Sequence, residues 1–222
     1  MTQIITVVQE KGGAGKTTLL ISIASLMVAD GAKVAVIDTD PKDDLYDWAD
    51  MGQTDLDYLF VKHDEELMPA IKKLKSSDAK YDAILIDTAG FKSAMAVYAI
   101  NAAALVLIPS KANKGDAKGA IKTYAHVQSV AENMDKEIKS YVVMMDIDAN
   151  TNITHAVLDA IDEQEIPRLN AVCAHRTGFK EMTTTGKGPE KSAKEAAKVV
   201  LAELQIKKAL NYYGGENGEA AA

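Results

Sequence analysis

The stretch Ile4-Ile5-Thr6-Val7-Val8-Gln9-Glu10-Lys11-Gly12-Gly13-Ala14-Gly15-Lys16-Thr17-Thr18 decides how the chain reads. Its first five residues are a mostly apolar, β-branched run, the pattern of a buried strand. Leu19 to Ala29 follows, apolar apart from two serines, and reads as a helix closed by Gly31. Strand, glycine loop, Lys-Thr and helix together are the context a phosphate-binding loop requires. Glycine has no Cβ to block approach, so successive backbone N–H groups can point into one concavity. The helix N-terminus adds unpaired donors and the positive end of its dipole. Lys16 is expected to reach the β- and γ-phosphates of a nucleotide, and the Thr17 hydroxyl to ligate Mg²⁺.

Working outward, Lys33 to Asp38 reads as a second buried strand that ends in a carboxylate, followed by Thr39-Asp40-Pro41. Ala83 to Asp87 is another apolar run ending in an acid. Further strands are expected at Tyr58–Val61, Leu105–Ile108 (stopped by Pro109), Tyr141–Asp146 and Leu169–Cys173. Helices are expected over residues 43–51, Glu65–Lys75, 93–101, Asp116–Asn133, Thr154–Gln164, Gly178–Thr184 and Pro189–Asn211, the last with proline at its first helical position. Buried strands alternating with helices predict an α/β fold, a three-layer, mostly parallel sheet with helices on both faces. Ligands on such sheets bind beyond the carboxyl ends of the strands, where Asp38, Asp40, Asp87 and the glycine loop would cluster. Residues 1–213 read as a single domain, and Gly214 to Ala222, rich in Gly, Glu and Ala, as a disordered tail.

Lys11-Gly12-Gly13-Ala14-Gly15-Lys16-Thr17-Thr18 resembles the deviant Walker A motif of the ParA/MinD superfamily of ATPases, which are P-loop NTPases. Position 10, where the plain pattern has glycine, is Glu, and a second lysine, Lys11, precedes the glycine pair. Asp38-Thr39-Asp40-Pro41 resembles the Asp-x-Asp-Pro signature of ParA-type members, with Lys42 where Gln usually follows. The resemblance implies ATP and Mg²⁺ as cofactors. It places Gly12, Gly13, Ala14, Gly15, Lys16, Thr17 and Thr18 on the phosphates, Thr17 and Asp87 at the metal, and Asp38 in its outer shell. It gives Asp40 the task of orienting the attacking water, and Lys11 a reach to the ATP held by a second subunit. A homodimer formed around ATP follows. Relatives hold the base with residues after late strands, here Met145-Asp146-Ile147-Asp148 and Ala174-His175-Arg176. Met-Asp stands where the family often has Asn, so the residues alone leave ATP against GTP open.

The formal net charge is -7 on 222 residues, which argues against a polycation that coats nucleic acid. The balance is uneven, because Arg168 to Lys208 carries nine Lys/Arg against four Glu. Lys191, Lys194 and Lys198 share one face of the last helix. They are the candidate contacts to non-specific DNA, a habit the family resemblance implies. One cysteine, Cys173, excludes an internal disulfide, and its apolar strand predicts a buried, inert thiol. No zinc spacing, secretory leader or spanning segment is apparent. The chain is therefore expected to be cytoplasmic and nucleoid-associated, without stable membrane association. The reading is a small ParA-type partition ATPase without an N-terminal helix-turn-helix. A ParB-like or cargo adaptor would stimulate its slow hydrolysis. The alternatives are a MinD-like membrane-cycling ATPase and a non-catalytic, nucleotide-gated scaffold.

Overall fold

A computed structural model describes residues 2–42, 44–90, 93–148 and 151–211. The expected tail at 214–222 lies outside the described residues. In chain order the elements are β1 (Gln3–Val7), α1 (Lys16–Ala29), β2 (Val34–Asp38), α2 (Asp44–Asp50), β3 (Asp57–Phe60), α3 (Asp64–Lys75), β4 (Ala83–Asp87) and α4 (Ala94–Ala102). They continue with β5 (Leu105–Ser110), α5 (Lys114–Asn133), β6 (Lys139–Ile147), α6 (Asn152–Asp162), β7 (Arg168–Ala174), α7 (Thr177–Thr185) and α8 (Lys191–Ile206). The strands form one sheet in the order β3-β2-β4-β1-β5-β6-β7, and every neighbouring pair is parallel. The expected three-layer α/β architecture is present.

Alternation along each strand divides the core between two helical layers. Ile5, Val7, Val34, Val36 and Leu85 face α1, α2, α7 and α8 in one cluster. Ile4, Ala35, Ile37, Ile84 and Ile86 face α3 and α4, while Val106, Ile108, Val142 and Met144 face α5 and α6. Burial of both faces explains why these strands read as continuous apolar runs. Each fully buried Ile or Leu contributes roughly 1.5–3 kcal/mol, so the central strands hold the carboxyl edge rigidly in register.

Three expected boundaries are corrected. Pro109 does not end β5, which runs on to Ser110 and pairs with β6 through Pro109 and Val143. Pairing with β1 stops at Val7 and Leu107, so the missing proline N–H falls beyond that ladder. α8 begins at Lys191 rather than Pro189, with Glu190 as its N-cap. The preceding loop is pressed against α1, where a Cβ on Gly188 would lie 2.5 Å from the Ser25 Cβ. The Trp48 indole N–H also donates to the Lys187 carbonyl at 2.9 Å. α8 also ends at Ile206 rather than at the expected Asn211, in a Schellman turn with Lys208 left-handed at φ 52° and Ala209 N–H donating to Leu204 O at 2.8 Å. Beyond it, Ala209 and Leu210 are buried, and the Asn211 N–H donates to Gln3 Oε1 at 2.9 Å.

Candidate nucleotide site

The glycine loop joins β1 to α1 at the carboxyl edge of the sheet. Gly13 (φ 75°) and Gly15 (φ 101°) are left-handed, conformations that side chains resist. Gly15 is the N-cap of α1, and no side chain caps the helix there. The first-turn N–H groups therefore face the cleft next to the positive end of the helix dipole, an arrangement that suits an anion. The cleft, of about 400 Å³, is lined by Gly12, Gly13, Gly15, Lys16, Thr17 and Thr18, with Asp40 and Lys42 on one side and Lys111, Met145, Asp146 and Arg176 on the other. Ala14 is fully buried and does not line it.

Beneath the loop, β2 and β4 bring their terminal acids side by side, since Asp38 and Asp87 are register partners. Both are nearly inaccessible to water. The Thr17 hydroxyl donates to Asp87 Oδ2 at 2.6 Å, which joins the loop to the floor of the site. Burial pushes the Asp87 carboxyl up to about 7; the Thr17 hydrogen bond opposes that rise and the neighbouring Asp38 adds to it. Asp38 Oδ1 accepts the Asp40 N–H at 2.9 Å, and Asp40 Oδ1 accepts the Lys42 N–H at 3.1 Å. Thr39 is fastened to the same strand end, its hydroxyl donating to Asp87 O at 2.8 Å.

These residues fit a divalent cation of the hard, oxygen-seeking kind. Burial, with Asp38 beside it, disfavours negative charge on Asp87, and a positive charge at the pair would relieve this. Among the described residues, no cluster of three or more His, Cys, Asp or Glu could hold a metal unaided. Thr17, Asp87 and Asp38 would therefore hold Mg²⁺ together with oxygens from a phosphate ligand and water, as Mg²⁺ prefers.

Lys11 is placed differently from Lys16. Lys16 is buried and lines the cleft, whereas the Lys11 ammonium pairs with Asp116 on α5 of its own chain and lies 3.4 Å from Asn113 Oδ1. Sequence reasoning missed the support behind this loop. The buried Gln9 amide donates to Pro109 O at 2.9 Å and accepts from the Thr123 hydroxyl at 3.1 Å. Asn113, the N-cap of α5, and Asp116, Gly119 and Thr123 within it fall at helical spacing, and that stripe is what the loop rests on. The spacing is legible in sequence, but its partner across about a hundred residues is not.

The profile of the VirC1 protein family matches residues 2–211. The chain belongs to the VirC1 family. Protein ParA of Rhizobium radiobacter is 29% identical over 140 residues, 63% of each chain. Protein virC1 of the same organism is 30% identical over 129 residues, 56% of each. The matched region thus spans less than two thirds of the length of these relatives. Apo McdA of Cyanothece superposes with a TM-score of 0.74 at 17% identity, over 92% of this chain and all of that one. The Pyrococcus furiosus cell division ATPase MinD gives 0.73 at 20% identity, over 93% and 100%. This VirC1-family chain has the ParA/MinD ATPase fold.

At the far end of the cleft, the VirC1-family chain places Met145 and Asp146, near the C-terminal end of β6, beside Arg176, the N-cap of α7, and Phe179 on α7. The Met145 side chain lies 3.4 Å from where a Cβ on Gly15 would sit. Asp146 is left-handed (φ 54°), and its carboxylate is 2.5 Å from His175 Nδ1 and 3.4 Å from Lys111 Nζ. Partial burial opposes ionisation of Asp146, but these two partners prevail and hold its carboxyl below the usual range. The basic candidates on α8 lie apart from the cleft. Lys191 and Lys198 are exposed, Lys194 is half-buried, and Lys198 is 3.4 Å from Glu195. No helix among the described residues is long and apolar enough to cross a membrane.

Proposed function

We propose that this chain is a partition ATPase that dimerises around ATP, binds DNA without sequence preference in that state, and leaves it after hydrolysis. The observation that carries the reading is the Thr17–Asp87 hydrogen bond of 2.6 Å beneath a glycine loop whose helix end carries no side-chain cap. Residues 1–213 form the ATPase unit. Gly12, Gly13 and Gly15 to Thr18 hold the triphosphate with backbone N–H groups and the Lys16 ammonium. Thr17 and Asp87, with Asp38 beside them, would hold Mg²⁺, which would supply charge neutralisation to the phosphates. Asp40, fixed through its N–H on Asp38, orients the attacking water; phosphoryl transfer depends on such positioning more than on covalent chemistry. Lys11 leaves Asp116 and clamps the nucleotide of the second subunit, as a trans charge does in related phosphoryl transfers.

Lys191, Lys194 and Lys198 supply phosphate contacts to DNA. Contacts of this kind are weak singly, with non-specific Kd on the order of 10⁻⁴–10⁻⁶ M, and pairing two subunits multiplies them. A ParB-like or cargo adaptor stimulates turnover, and the protein works in the cytoplasm on the nucleoid. The fold shared with McdA and MinD and the ParA relative support this reading.

The test is phosphate release and DNA co-pelleting, each with ATP, for the wild type, Lys16→Ala and Asp40→Ala. The wild type should hydrolyse slowly and pellet with DNA only with ATP. Lys16→Ala should bind no ATP, and Asp40→Ala should stay on DNA without turnover. Intact ATP binding with no phosphate release, even with DNA and adaptor present, would reduce the protein to a nucleotide-gated scaffold.

A further inference from the structure

Asp38 accepts hydrogen bonds from the β2–α2 loop and from β3, one on each carboxylate oxygen. The Asp40 N–H takes Oδ1 at 2.9 Å, and the Tyr58 hydroxyl takes Oδ2 at 3.0 Å. Tyr58 belongs to β3, the edge strand next to β2, and no motif on β2 points to it. Its register partner is Val36, two residues before Asp38, so its side chain extends along the strand toward the carboxyl edge. The ring packs edge-on against Tyr46 of α2, with centroids 5.8 Å apart and planes at 62°. Together with Lys42 and Phe60 these groups border a recess of about 270 Å³ whose wall includes Asp38 and Asp40.

A half-buried tyrosine commonly finds some partner for its hydroxyl, and a purely structural role would end there. The choice of partner says more. The carboxylate it holds is buried beside Asp87, and its other oxygen fixes the backbone of Asp40. The terminal torsion of a carboxylate is broad in general, so a donor on each of its oxygens helps to define its plane.

We infer that Tyr58 is a positioning residue that acts through Asp38 to orient the Asp38–Asp40 pair. This rests on reading the site as one that binds and hydrolyses a Mg²⁺-nucleotide. Removing the hydroxyl leaves Asp38 Oδ2 without this donor and loosens the geometry of both acids. A misplacement of about 1 Å can cost up to about 10²-fold in rate, so a partial loosening is expected to cost about tenfold.

The test compares the wild type with Tyr58→Phe, which keeps the ring and its packing on Tyr46. The expected result is a kcat for ATP hydrolysis lowered about tenfold, with KM at saturating Mg²⁺ within about twofold. The Mg²⁺ concentration for half-maximal nucleotide binding should rise about threefold, while the thermal midpoint stays within a few degrees. Unchanged kcat and Mg²⁺ half-saturation would overturn the inference, and so would a loss confined to thermal stability. Asp38→Asn supplies the second arm. Because Tyr58 acts through Asp38, Tyr58→Phe should add nothing in that background, and additive losses would overturn the inference. A wild type that binds nucleotide without hydrolysing it would sink the hydrolytic reading alone. In that case the Mg²⁺ half-saturation of nucleotide binding still decides the role of Tyr58.

Discussion

Lys11 and Asp116 are paired within one chain, the ammonium on the glycine loop and the buried carboxylate in the first turn of α5. The acid suits that helix end, where the dipole favours negative charge. Lys11 cannot hold Asp116 and a neighbouring subunit's phosphate at once. Asp116→Asn should therefore release Lys11 and lower the protein concentration needed for dimerisation with a non-hydrolysable ATP analogue, by about fivefold. Analytical ultracentrifugation reads this, and an unchanged midpoint would show that the pair does not oppose assembly. Lys11→Ala should abolish the dimer and also lower stability in urea by about 1 kcal/mol. It strands a buried acid, but the lysine itself is half exposed, which keeps the loss small.

Gly119 tests the support behind the loop. Glycine inside an exposed helix is ordinarily improved by alanine, by roughly 0.8–1 kcal/mol. Here an added Cβ would lie 2.9 Å from Gln9 Oε1, and Gln9 is buried and bonded at both ends of its amide. Gly119→Ala is expected to destabilise the protein by about 1–2 kcal/mol and to weaken ATP binding with it. A gain in the urea midpoint would show that Gln9 yields freely.

Glu203 joins α8 to the outer strand. Its two oxygens accept the N–H groups of Asn170 (3.0 Å) and Ala171 (2.7 Å), next to a register irregularity between β6 and β7. Burial works against its ionisation, but the two backbone N–H groups, with Lys207 beside them, hold the carboxyl below its usual 4.5. The unfolded chain thus takes up this proton first as the pH falls. The stabilisation is complete above the ordinary value and is lost on the acid side of it. Glu203→Gln should cost about 1–3 kcal/mol at pH 7, and the gap to wild type should close at low pH in parallel urea titrations. A gap that persists unchanged in acid would contradict this.

Cys173 lies on β7 against α8, with burial pushing its thiol up to about 12. Thiolate is the reactive form, so iodoacetamide at pH 8 should leave the folded protein unmodified and label it fully after denaturation. Rapid labelling of the native protein would mean that β7 opens readily.

The glycine loop, its lysines and the strand-ending acids were legible because their chemistry is local. A strand, three glycines within four residues and a Lys-Thr pair already constrain what the backbone can hold. The layered α/β order was legible for a related reason, since strands buried on both faces must be apolar throughout. Boundaries were less so. Pro109 ends a strand only where its missing N–H is needed, and whether it is needed depends on how far β1 runs beside it. The start of α8 was set by Ser25 and Trp48, more than a hundred residues upstream.

Residue type and spacing by themselves determined a seat of the kind that suits an anion, because glycine conformations and a helix N-terminus are properties of consecutive residues. Only the tertiary structure decided which groups hold that seat in place: Tyr58 on Asp38, Gln9 on Thr123, and Lys11 on Asp116. Each joins elements that meet solely through the sheet order β3-β2-β4-β1-β5. Hydrogen bonds and ion pairs act over a few ångströms, and separation along the chain does not reveal which side chains come that close.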